Sequence, residues 1–162
     1  MTSDTILAKE MMTTNLVTLA PQLDVFAAID ILLKKRISGA PVVDSDGTFL
    51  GIFSESSSLR VIINAAYENL PDAGLMPFVD CHPPTIAPDT DLLTICQTFL
   101  DQATRRLPVI EHGQLQGMVS RRDVMRCVSQ SVRGKRCGHA ELLYFSALND
   151  PSKESVELKI AH

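Results

Sequence analysis

Leu107-Pro108-Val109-Ile110, a turn at Gly113, and then Gly117-Met118-Val119-Ser120-Arg121-Arg122-Asp123 form the stretch whose reading decides the fold. A short apolar run containing Pro, a Gly turn, and a second apolar run breaking into Ser-x-x-Asp reads as strand, turn, strand and the first turn of a helix. The same phrase stands earlier as Ala40-Pro41-Val42-Val43, Asp46-Gly47 and Gly51-Ile52-Phe53-Ser54-Glu55-Ser56-Ser57. A unit written twice in one short chain points to a repeat architecture.

Working outward, each copy is preceded by a helical face. Val25, Phe26, Ile29, Leu32 and Leu33 follow Asp24, and Leu92, Leu93, Cys96, Phe99 and Leu100 follow Asp91. Both sets have the spacing of one buried helix side. Each later residue stands 67 positions after its counterpart (92 against 25, 100 against 33), and so does Pro108 after Pro41. The second turn is one residue shorter, so Gly117 and Ser120 follow Gly51 and Ser54 by 66 (117 against 51, 120 against 54). Further out, Leu16-Val17-Thr18-Leu19 and Pro84-Thr85-Ile86-Ala87 predict short strands stopped by Pro21 and Pro88.

The order β-α-β-β-α therefore occurs twice, an α+β fold of two pseudo-symmetric repeats with a C-terminal extension. The first repeat is expected over 8–69, with its last helix from Leu59 to Asn69. A connection marked by Pro71 and Gly74 is expected over 70–79, and the second repeat over 80–130. Residues 131–162 match neither repeat. They carry Arg133, Lys135 and Arg136 and end in an alternating Val156-Glu157-Leu158-Lys159-Ile160, which reads as an edge strand or a partner-dependent strand. Units of about 60 residues rarely bury enough surface alone, so the repeats should pack together with their Ser-x-x-(Asp/Ser) corners facing a shared cleft.

Composition narrows the class. Of 162 residues 45% are hydrophobic and 21% charged, which is ordinary for a soluble globular protein. The net charge of −4, the absence of Trp and the presence of only two Tyr give no reason to expect a nucleic-acid partner. No secretory signal and no bilayer-length apolar segment are read in the chain, so a cytoplasmic location and no membrane partner are expected. Cys81, Cys96, Cys127 and Cys137 then read as reduced thiols, with Cys96 and Cys127 in the core.

Two readings of Ser120 and Asp123 stand side by side. The carboxylate can accept hydrogen bonds from both hydroxyls of a ribose, and a hydroxyl beside free N–H groups at a helix start suits a phosphate oxygen. The same pair is also a capping-box variant that finishes a helix N-terminus. Arg105 and Arg106 are either a solvated charge pair at a helix exit or a fork for phosphate. Ile37 is either core or a ligand contact.

Two in-register copies of β-α-β-β-α, with Pro-Val after the first helix, Gly-apolar-apolar-Ser ending the third strand and Ser-x-x-Asp opening the last helix, resemble a tandem pair of CBS domains, a Bateman module. The resemblance covers Ala8 to Val128. It implies a regulatory module that requires no cofactor and binds an adenosine-containing ligand (AMP, ADP, ATP or S-adenosylmethionine) between its repeats. It also implies a homodimer that signals to a separate effector protein. Asp123 and Ser120 would hold ribose and phosphate, Arg106 and Arg105 the phosphates, and Ile37, Ser38 and Thr18 the adenine side. The first repeat departs from this pattern, because Ser57 stands where Asp123 stands and Ser38 and Gly39 replace the two Arg. One competent site per chain is expected on Asp123, and the equivalent cleft at Ser54, Ser57, Thr85 and Thr104 is expected to be weaker.

Two rival classes were weighed. An enzyme would show a phosphate loop, a Gly-x-Ser-x-Gly or a His-Glu-x-x-His, and none is present. Cys81-His82 and Cys137-Gly138-His139 lack the spacing of a zinc module, so no metal is expected. The other rival is a ligand-free dimerisation or adaptor protein acting through its C-terminal tail.

Overall fold

Pro21 and Pro88 decide how the sheets begin. In the computed structural model, which describes residues 5–67 and 74–132, the two predicted leading strands are each a single parallel bridge, Leu19 to Val42 and Ile86 to Val109. Leu19 N–H donates to Pro41 C=O at 2.9 Å and Val43 N–H to Leu19 C=O at 3.0 Å. The next donor of such a ladder, two residues on, is Pro21 or Pro88, which has no N–H to give. Around Ile86, Pro84 removes the preceding donor as well.

The remaining elements follow the repeat. In the first, α2 (Val25–Lys35, after a short α1, Ala8–Met11) leads to a hairpin of β1 (Gly39–Val43) and β2 (Phe49–Ser54), then α3 (Glu55–Tyr67). In the second, α4 (Leu92–Asp101) leads to β3 (Arg106–Glu111), β4 (Gln114–Ser120) and α5 (Arg121–Val132). Asp24 caps α2 by accepting from Phe26 N–H at 2.9 Å and Ala27 N–H at 3.2 Å. Asp91 caps α4, accepting from Thr94 N–H at 3.0 Å and from its hydroxyl at 2.6 Å. Those donors hold the Asp91 carboxyl below its ordinary pKa, the hydroxyl bond being the larger cause.

Each hairpin pairs, through a single antiparallel bridge, with the segment that leads into the other repeat. Thr13 exchanges both backbone hydrogen bonds with Met118 at 2.9 and 3.0 Å, and Asp80 exchanges both with Ile52 at 2.9 Å. The leaders cross with their apolar residues. Ile6 and Ala8 are buried with Leu92, Ile95, Leu107 and Val119, while Leu75 and Phe78 are buried with Leu19, Val25, Val42 and Phe53. Each repeat's core is thus completed by chain that precedes the other repeat, so the halves are interlocked by apolar burial as well as by covalent connection. Cys96 and Cys127 pack against the second core, as their periodic positions predicted.

The crossing explains two glycines. A Cβ on Gly51, whose φ is +149°, would stand 2.3 Å from Asp80 O, and a Cβ on Gly117 would stand 2.9 Å from Thr13 O. The two hairpin turns also touch across the pseudo-twofold: Phe49 N–H donates to Gly113 C=O at 2.9 Å and Leu115 N–H to Gly47 C=O at 3.3 Å. This reciprocity is what a self-complementary contact between like units requires. Residues 68–73, which include the start of the connection expected over 70–79, and residues 133–162 of the extension expected over 131–162, with its terminal strand, lie outside the described residues.

Candidate ligand cleft between the repeats

A cavity of about 570 Å³ opens between the repeats, within the size range of small-molecule sites. Ser38, Ser54 and Ser57 line it from the first repeat, and Thr104, Arg105 and Arg106 from the second. Each wall is placed by the fold rather than by proximity in sequence. Ser38 and Gly39 lie where the chain leaves α2 for β1, and Ser54 ends β2 as α3 begins. Thr104 to Arg106 form the matching exit from α4 into β3.

The first-repeat corner is a cluster of hydroxyls at the start of α3. Ser54 Oγ lies 2.8 Å from Ser56 Oγ and 3.4 Å from both Ser57 Oγ and Ser57 N. Ser57 is 1% exposed, the one buried polar side chain among the described residues. Hydroxyls that can donate, gathered at a helix start, suit an anion, while the N–H groups of Glu55 and Ser57 are engaged by Ser38 C=O at 3.0 Å and Ser54 Oγ at 3.4 Å. On the opposite wall the Thr104 hydroxyl donates to Arg106 C=O at 2.8 Å, which shapes the turn that presents the two arginines. Arg105 is exposed and Arg106 half-buried. Among the described residues neither guanidinium makes a hydrogen bond or an ion pair.

The second-repeat corner is arranged differently. Ser120 N–H donates to Asp123 Oδ2 at 2.8 Å, the Ser120 hydroxyl donates to the same oxygen at 2.5 Å, and Asp123 N–H donates back to Ser120 Oγ at 3.2 Å. This is a reciprocal cap of α5, the bland alternative of the sequence, and it is made in full. Arg126 Nη1 reaches Asp123 Oδ1 at 3.0 Å, so both carboxylate oxygens have partners within the chain. Neither Ser120 nor Asp123 lines the described cavity, and neither do Ile37, Thr18 or Thr85. Ile37 is half-buried beside the first core, while Thr18 and Thr85 are exposed.

Three charged lining residues are not singled out by the sequence: Glu55, Arg60 and Asp80. For Arg60 a signal existed. It stands three positions after Ser57, as Arg126 stands three after Asp123, so the repeat itself marked it. Asp80 had none, because it reaches the cleft only through its pairing with Ile52 in the neighbouring repeat.

Two interlocked β-α-β-β-α repeats around a polar cleft define a tandem repeat module. The family model for the CBS domain matches residues 8–62 and 78–130, and the chain belongs to that family. The chloroplastic CBS domain-containing protein CBSX2 of Arabidopsis thaliana is 26% identical over 147 residues, 74% of this chain and 61% of CBSX2. A crystal structure of CBSX2 in complex with AMP superposes with a TM-score of 0.69 at 25% identity, covering 77% of this chain and 97% of that one. The gamma-3 subunit of 5′-AMP-activated protein kinase from Bos taurus is 30% identical over 127 residues, 71% of this chain and 25% of the subunit. The uncharacterized protein MJ1225 of Methanocaldococcus jannaschii is 25% identical over 118 residues, 73% of this chain, which spans 41% of that protein's length.

Proposed function

We propose that this chain is a regulatory module that binds an adenosine-containing nucleotide in the cleft between its CBS repeats and reports occupancy to a separate effector protein. The observation that carries the reading is the cavity itself, walled by hydroxyls of one repeat and by Arg105 and Arg106 of the other, whose guanidiniums have no partner among the described residues. Guanidinium forks match phosphate geometry, and a site built half from each repeat makes their mutual packing depend on whether it is filled. The AMP complex of CBSX2 supports the adenine part of the reading. S-adenosylmethionine is the alternative ligand of the same class.

The module acts as a homodimer in this reading. Phe26 and Leu33 on α2, Leu93 and Leu100 on α4, and Leu59 and Ile62 on α3 are 49–80% exposed, and the first four are pairwise equivalent in the two repeats. A second copy covering these helix faces would remove them from water. No helix of the described residues is long and apolar enough to cross a membrane, and a cytoplasmic location suits cysteines that form no disulfide among the described residues.

Thermal unfolding of the purified protein with adenosine, AMP, ADP, ATP, S-adenosylmethionine, NAD and GTP tests the proposal, with Arg106→Ala alongside. A ligand at about one hundred times its Kd that binds only the folded state adds about 2.7 kcal/mol. A shift with an adenosine ligand, reduced in the variant, supports the sensor. No shift with any of them, once co-purified ligand has been excluded, replaces it with the adaptor reading.

A further inference from the structure

The starts of α3 and α5 differ in charge at three equivalent points, Glu55 against Arg121, Ser56 against Arg122 and Ser57 against Asp123, and the structure shows the consequence of the third. In the second repeat Arg126 is neutralised by Asp123 at 3.0 Å. In the first repeat the equivalent arginine, Arg60, is retained, while the equivalent acid is Ser57. Arg60 therefore lacks the partner its counterpart has, and among the described residues it makes no ion pair or side-chain hydrogen bond. It lines the inter-repeat cavity together with the unpaired Arg105 and Arg106.

Three guanidiniums without a side-chain partner among the described residues, the hydroxyls of Ser54 and Ser56, and the buried Ser57 thus line one cavity of a chain whose net charge is −4. Against them stand Glu55, exposed on the first turn of α3, and Asp80, whose carboxylate is engaged by His82 N–H at 3.1 Å. Cations of one sign gathered in a concave surface focus the field on an anion, and several of them match more than one phosphate.

We infer that the first-repeat cleft, at Ser54, Ser57 and Arg60, is the ligand site of this chain, and that it selects a ligand carrying two or more phosphate groups. This rests on the proposed nucleotide function and deepens it. With Ser57 in place of an acid the helix cap no longer engages Arg60, which lines the cleft, and the carboxylate remaining at that helix start is the exposed Glu55. The second-repeat corner keeps its carboxylate bound within its own cap, so it contributes stability rather than a phosphate site.

Isothermal titration of the intact protein with adenosine, AMP, ADP, ATP and inorganic tripolyphosphate, at two ionic strengths, reads this out. ADP and ATP are expected to bind more tightly than AMP, with an affinity that falls as salt rises. Arg60→Ala should weaken ATP roughly tenfold or more, the scale of one lost charge-assisted contact. Arg60→Lys should restore part of that loss, and Asp123→Asn should leave ATP affinity within about threefold because Asp123 is outside the site. Unliganded melting curves confirm that each variant is folded, and Arg60, exposed on α3, leaves no core gap when shortened.

Nucleotide binding that is indifferent to Arg60→Ala, or equal affinity for AMP and ATP, overturns the inference and leaves the nucleotide function standing. Loss of binding in Asp123→Asn together with retention in Arg60→Ala moves the site to the second repeat and also overturns it. Tripolyphosphate binding dependent on Arg60, without any nucleotide binding, upholds the anion site and overturns the nucleotide function. Silence across the whole panel overturns both.

Discussion

Gly51→Ala tests whether the crossing leaders hold the halves together. The new Cβ would lie 2.3 Å from Asp80 O and 2.6 Å from Val79 Cγ1, and the first of these is backbone that no rotamer change can move. Relief requires the segment at Val79 and Asp80 to withdraw from β2, which breaks the two 2.9 Å hydrogen bonds between Ile52 and Asp80. At about 1 kcal/mol net each these account for about 2 kcal/mol, and the φ of +149° at a residue with a Cβ adds about 1 kcal/mol more. A total of about 3 kcal/mol lowers Tm by roughly 6–12 °C for a chain of this size. Urea unfolding followed by circular dichroism measures the loss directly. Gly113→Ala is the matched control: its φ is +78° but nothing lies within 4 Å of its Cβ, so it should lose only the conformational part, about 1 kcal/mol. Equal losses in the two variants would refute the crossing as a stabilising contact.

Other expectations follow from the same geometry. Asp91→Ala removes the cap of α4 and should cost about 1 kcal/mol by urea unfolding at pH 7. Because the folded Asp91 carboxyl is held below its ordinary value of 3.8, its contribution is present above that pH and is lost as pH falls through the folded value. The difference between wild type and Asp91→Ala should therefore shrink in acid, and a constant difference down to pH 2 would contradict the assignment. Asp123→Ala leaves Ser120 and Arg126 without their shared acceptor and should destabilise the fold by about 1 kcal/mol, measured without ligand. Ile62→Glu, at a position 58% exposed on α3, should leave the monomer's stability nearly unchanged and shift sedimentation toward monomer. A loss of stability without a change in mass would place Ile62 in the protomer's own packing.

Much of this architecture could be read from order and spacing. The repeat in steps of 67 and 66, the helices α2 and α4 and both hairpins are local or periodic, and local rules suffice for them, but of the helix faces read as buried only Val25, Leu32, Leu92 and Phe99 are, while Phe26, Leu33, Leu93 and Leu100 are exposed. The glycine of each Gly-apolar-apolar-Ser run was visible as a pattern, yet its reason, the close passage of Asp80 by Gly51 and of Thr13 by Gly117, was not. The leading strands were over-read because β-branched composition does not reveal that a proline will occupy the next donor position.

For the site, sequence by itself determined the residue types at the corners of the repeats: hydroxyls at Ser54 and Ser57, cations at Arg105 and Arg106, and an acid at Asp123 with a serine in its place at 57. Only the tertiary structure decided who meets whom. It brings Arg105 and Arg106 opposite Ser54 and Ser57, commits Asp123 to Ser120 and Arg126, and leaves Arg60 without a partner among the described residues. Spacing along a chain reports which face of its own helix or strand a residue takes. Which repeat supplies the opposing wall depends on Leu75 and Phe78 burying in one core and Ile6 and Ala8 in the other, and that exchange between distant segments leaves no local periodicity to read.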